Sequence, residues 1–174
     1  MRLPRIVCVV LVFVLAACAP SKDRVGTMQV TTHSAVISSV SGHKTYAFEA
    51  TAPTPDGTVQ WADAPQTLAI IRERIEGEMR ARGYVLDPDP ELLVRISLGV
   101  KKVLEEPKGM AAQHGAPSMT NDVTELHIDV FDRSNGGHLF HGSASDELHH
   151  REPDPDRIAK QVRLIMEPVP PTSR

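Results

Sequence analysis

The chain has 174 residues, a formal net charge of −3, 41% hydrophobic residues and only 4% aromatic ones. That length suits a single domain rather than a two-domain enzyme. The hydrophobic share excludes wholesale disorder, and the absence of a basic excess excludes the electrostatic footprint of a nucleic-acid partner.

The first segment sets the compartment. Arg2 and Arg5 precede an unbroken apolar run, Ile6 to Leu15, which is followed by Ala16, Ala17 and Cys18. A charged start, a short apolar stretch and small residues at its end are the pattern of a secretory signal peptide. The run is too short for a spanning helix, which needs about 20 apolar residues. Leu15-Ala16-Ala17-Cys18 resembles the lipobox of bacterial lipoproteins. That resemblance implies cleavage between Ala17 and Cys18 and lipid attachment at the Cys18 thiol. Residues 1–17 are then the signal, residues 18–26 a lipidated tether, and residues 27–171 one domain. Cys8 leaves with the signal and Cys18 carries lipid, so no thiol remains for a disulfide, a nucleophile or a thiolate metal site. Several acyl chains make an essentially permanent anchor, where one chain alone is marginal. Ala19 follows the cysteine, not the aspartate that by the same resemblance retains lipoproteins in the inner membrane. The expected location is therefore the outer membrane, facing the periplasm.

Within the domain, Met28, Val30 and Thr32 alternate as a strand, Ser38 to His43 make a turn-rich connection, and Thr45 to Phe48 form a second strand. Thr51 to Gly57 is a loop. Asp63, Pro65 and Gln66 read as a helix start, and Leu68, Ile71, Ile75 and Met79 form one apolar stripe ending at Gly83. The charged remainder of that helix could bind a partner, but a solvated face is the leading reading. Leu92, Val94, Ile96 and Leu98 alternate along a strand, with Gly99 marking a bulge. Residues 105–121 lack periodicity and read as a mobile loop or the site of function, the mobile loop being the leading reading. Val123 to Phe131 is a strand with Leu126, Ile128 and Val130 on one face and Glu125, His127, Asp129 and Phe131 on the other. Asp132 to Gly137 is a turn and Leu139 to Glu147 the returning strand. Asp154-Pro155 opens a second helix with Ile158, Val162, Ile165 and Met166 as its stripe, stopped by Pro168, Pro170 and Pro171. The order β-β-α-β-β-β-α predicts a two-layer α+β domain, with both amphipathic helices on one face of a mostly antiparallel sheet.

The words along this layout resemble the bacterial lipoproteins that share the domain of unknown function 4136. They are Lys44-Thr45-Tyr46-Ala47-Phe48, Arg82-Gly83-Tyr84, Glu91-Leu92-Leu93-Val94, Ile128-Asp129-Val130-Phe131-Asp132, Gly142-Ser143-Ala144-Ser145 and Pro170-Pro171. They span roughly residues 28–171, and their order carries the resemblance. The chain departs from the family pattern at Pro90-Glu91, where Pro-Asp is usual, and at Phe140-His141, where Trp-Arg often stands. The resemblance implies an envelope lipoprotein and brings no catalytic residues with it.

Eight histidines are many for this length, and His138, His141, His149 and His150 lie close together in sequence. Histidine is the commonest metal-binding side chain, so a periplasmic metal or small-ligand binder is the second reading, with Asp146 or Glu147 available as a further ligand. Strand alternation counts against it, because positions 138 and 141 differ by an odd number and should face opposite ways. Hydrolase patterns are missing: there is neither G-x-S-x-G nor H-E-x-x-H. Gly142 to Ser145 is explained by close strand packing, and no phosphate-cradling glycine loop is present. The sequence thus leads to a non-catalytic, membrane-tethered interaction or envelope-maintenance domain. It needs no cofactor, its partners are the membrane, through the lipid, and an envelope protein, and nucleic acid is not among them.

Overall fold

The computed structural model describes residues 28–33, 37–50, 53–60, 64–107, 109–115, 117–147 and 154–173. The signal segment, Ala17, Cys18, the tether, the Asp63 cap, His149 and His150 lie outside the described residues. Six strands form one open sheet: β1 (Gln29–His33), β2 (Thr45–Phe48), β3 (Val85–Leu86), β4 (Leu92–Glu105), β5 (Met119–Asp132) and β6 (His138–Glu147). Their spatial order is β1-β6-β5-β4-β2-β3. The three pairings from β1 to β4 are antiparallel, while β2 runs parallel to both β4 and β3. The helices are α1 (Ile37–Val40), α2 (Ala64–Ala81), α3 (Met110–Gln113) and α4 (Pro155–Met166). The long helices α2 and α4 lie against each other over one face of the sheet, making the expected two-layer α+β domain.

The apolar stripes build that interface. Ile71, Ile75 and Met79 of α2 and Ile158, Val162, Ile165 and Met166 of α4 are buried against Leu92, Val94 and Ile96 of β4, Leu126, Ile128 and Val130 of β5, and Phe140 of β6. Leu68 of the α2 stripe is only partly buried, at the core's margin. Asp154 caps α4, its Oδ1 accepting from the amides of Asp156 and Arg157. The Arg82-Gly83-Tyr84 word has a structural reason. Gly83 takes the left-handed conformation that ends the helix, at φ +90°. Arg82 then reaches the far end of α4, donating to the carbonyls of Val169 at 2.9 Å and Met166 at 3.0 Å. A cation on the last carbonyls of a helix offsets its dipole. Tyr84 is buried, with its hydroxyl donating to Pro170 O at 3.0 Å.

Two local expectations need correction. Gly99 marks no bulge, because β4 pairs in regular register from Leu92↔Asp132 to Glu105↔Met119, with Gly99 opposite Glu125. Its small size is needed for another reason: a Cβ there would lie 1.9 Å from Thr58 Oγ1, where the 53–60 segment bridges the strand at Val59↔Val100. The 105–121 stretch is not simply a loop. β4 runs to Glu105 and β5 starts at Met119, so the two strands form a long hairpin with α3 near its tip. Lys102, Val103, Leu104, Met119 and Thr120 are exposed. With no buried face there is no apolar alternation to read, and the backbone ladder supplies the order.

Candidate functional site

The face of the sheet turned away from α2 and α4 carries the polar groups. On β5, Leu126, Ile128 and Val130 are buried toward the helices, so Glu125, His127, Asp129 and Phe131 project from the opposite face, as the alternation predicts. Arg95 of β4 faces Asp129 across the ladder and His141 of β6 faces it from the other side.

The same rule fails for His138 and His141. The β5–β6 register shifts between Val130 and Phe131: Val130 opposes Phe140, but Phe131 opposes His138, with Leu139 the extra residue. This irregularity re-aims His138, a known use of bulges. Both rings therefore lie on the outer face and converge on one carboxylate. His138 Nε2 donates to Asp129 Oδ1 at 2.8 Å and His141 Nδ1 donates to the same oxygen at 2.7 Å. A carboxylate oxygen only accepts, which places a proton on each of these ring nitrogens in this arrangement. The three donor atoms lie within 4.8 Å of one another.

Neighbouring rings hold the group in place. Phe131 stacks on His138 with centroids 4.6 Å apart and an interplanar angle of 18°. His127 meets His141 edge-on at 5.3 Å. Burial first, then the nearby His141, keeps the His127 imidazole below its ordinary pKa. The cations of this band are already engaged. Arg95 binds Glu49 through two hydrogen bonds, of 2.7 and 3.0 Å, while its guanidinium lies over the Phe131 ring at 4.5 Å, and Lys101 pairs with Glu125.

The other described candidates, Asp146 and Glu147, lie apart. Asp146 is on the helix-facing side of β6, buried and held by Arg157, so it is not a ligand partner of the histidines. The chain leaves β6 at Glu147, about 20 Å along the strand from His141 at ~3.3 Å per residue. His149 and His150 follow that end in the sequence and lie outside the described residues. Asp129 is the member that the sequence analysis missed. Its outward face was legible, but its neighbours depended on the hairpin register. The signal for a shift was the glycine pair in Asp132–Gly137, since hairpins with longer, glycine-containing turns commonly carry a bulge.

Comparison with known proteins gives one family match and likenesses of fold. The family described as Domain of unknown function (DUF4136) matches residues 32–171. None of the curated proteins matches the chain. Among solved structures, the fold is similar to that of a PDZ domain protein from Parabacteroides distasonis, with a TM-score of 0.53 and 16% identity over 85% of this chain. The match takes in 37% of that protein's chain, so the present chain spans little more than a third of its length. It is also similar to the PelC dodecamer from Paraburkholderia phytofirmans, with a TM-score of 0.49 and 11% identity, over 85% of this chain and 100% of the other.

Proposed function

This chain belongs to that family of unknown function, and from this premise we propose that it is a lipid-anchored envelope protein, a non-catalytic interaction domain held at the outer membrane and facing the periplasm. The observation that carries the reading is the Leu15-Ala16-Ala17-Cys18 box after a charged start and a short apolar run. Among the described residues no helix is long and apolar enough to cross a membrane; in the proposed reading the lipid on Cys18 supplies the attachment. The tether then leads into β1, an edge strand of the sheet.

Two features support an interaction role over a catalytic one. Ser143 and Ser145 sit in the regular β1–β6 ladder, opposite Thr31 and Gln29, which accounts for them as strand residues. On the opposite side of the molecule, the shallow channel between α2 and α4 is lined by Glu73, Glu76, Arg80, Asp156, Lys160 and Arg163. Charges of both signs on an open surface can steer and orient a partner of complementary charge.

The test is Cys18→Ala in cells, followed by fractionation with metabolic palmitate labelling. The variant should lose the label and leave the membrane fraction. Unchanged label and partition would overturn the anchor. Crosslinking of intact envelopes with mass spectrometry should then recover a protein partner through lysines facing the channel, such as Lys160.

A further inference from the structure

We propose that Asp129, His138 and His141 form a binding site for a divalent first-row transition-metal ion of the Zn²⁺ class on the open face of the sheet. This goes beyond anchoring and partner contact and does not depend on either.

The donor set carries the chemistry. Two imidazole nitrogens and one carboxylate oxygen suit Zn²⁺ and its neighbours, whereas Ca²⁺ and Mg²⁺ take oxygen-only ligands. Three protein ligands with a fourth position left to water or a partner group is a common arrangement for zinc.

The geometry asks for little rearrangement. Ligands about 2.0–2.2 Å from a tetrahedral zinc lie roughly 3.3 Å from each other. The two nitrogens already stand 2.8 and 2.7 Å from Asp129 Oδ1. On binding, each shared proton moves to the other nitrogen of its ring, so that a neutral imidazole lone pair faces the ion, and each contact opens by about 0.5 Å, which side-chain torsions can supply. The rings are also partly ordered beforehand, His138 by Phe131 and His141 by His127, which lowers the conformational entropy lost on binding. Asp129 is available as the anionic ligand because Arg95, opposite it across the ladder, is paired with Glu49. His138 is about half exposed, so the ion has an entry path.

The experiment is calorimetric titration of the full chain, purified in detergent, with Zn²⁺ alone at about pH 7.5, where ordinary histidines are mostly neutral. One saturable site per chain is expected, with no comparable heat from Ca²⁺. Asp129→Asn and His141→Gln should each weaken binding at least about tenfold. The paired change His149→Gln/His150→Gln should leave it unaltered, as should His43→Gln. His138→Gln keeps the test sound if Asp129→Asn weakens the fold, because that ring is exposed and its loss should reduce affinity without moving the metal-free melting temperature. Absence of a 1:1 site, retention of full affinity in both His138→Gln and His141→Gln, or loss of binding in the His149/His150 pair would overturn the proposal.

Discussion

Arg157 grips Asp146 across the contact between α4 and β6, its Nε donating to Oδ2 at 2.9 Å and its Nη2 donating to Oδ1. Asp146 is only 4% exposed and also accepts from Gln161 Nε2 at 3.3 Å. Removing one partner of a buried pair leaves an uncompensated charge, which costs about 3–5 kcal/mol in a dry site. Arg157 is partly solvated, so Arg157→Ala should cost about 2–3 kcal/mol. Replacing both groups, as in Asp146→Leu with Arg157→Met, should restore much of that loss, since apolar contact can substitute for a buried pair. Urea unfolding midpoints of wild type and the two variants decide it. Equal losses in the single and the double variant would show that the pair does not act as a unit.

That ion pair also marks where the sequence stopped being legible. Elements with one wet and one dry face announced themselves: the stripe Ile71, Ile75, Met79 and the alternation Leu92, Val94, Ile96, Leu98 mapped directly onto buried positions. Asp146 sits at a core-facing position of β6, where its charge hid the inward direction that Ala144 and Phe140 share. β3 spans two residues, both exposed, and gives no periodic signal at all. The parallel pairing of β2 with β4 likewise depends on tertiary packing, because strand sequence does not encode partner direction. The histidine cluster was half legible. Residue types and the outward face of Asp129 could be read, but one extra residue at Leu139 reversed the facing of His138 relative to any count from His141.

Acid should loosen the end of the sheet that holds Glu91 and Asp132. Glu91 accepts from the amides of Lys44 at 2.5 Å and Thr45 at 3.3 Å, pinning the start of β2, and these bonds hold its carboxyl below its ordinary value of 4.5. The Ser134 hydroxyl and then its amide do the same for Asp132, whose ordinary value is 3.8, in the hairpin turn. A carboxylate with a lowered folded-state pKa contributes stability that is complete above its ordinary value and is lost as pH falls through the lowered one. Wild type should therefore lose melting temperature as pH falls below about 4.5, and Glu91→Gln should lose less over the same window. At neutral pH the variant should melt lower than wild type, and the gap should close toward about pH 2. Thermal melts by circular dichroism across that range provide the check. Parallel curves would mean that Glu91 contributes no charge-dependent stability.

Gly142 lies under Ile165 where β6 packs against α4, and its missing side chain lets the two come together. A Cβ at this position would stand 2.4 Å from Ile165 Cγ2 and 3.0 Å from Phe140 Cζ. Both neighbours are buried, Ile165 fully, so neither can swing into solvent. Gly142→Ala must then shift the helix or the ring, and overpacking of this kind costs about 1–3 kcal/mol. Ile165→Ala alone should cost about 2–4 kcal/mol through the cavity that it leaves. Combined, the new methyl occupies part of that cavity and the clash disappears. Residues in contact couple non-additively, so the double variant should be more stable than the sum of the single losses by about 1 kcal/mol or more. A double-mutant cycle from urea unfolding measures that difference. Additive losses would place Gly142 and Ile165 out of contact and would undo the account of why small residues fill the Gly142–Ser145 stretch beside His141.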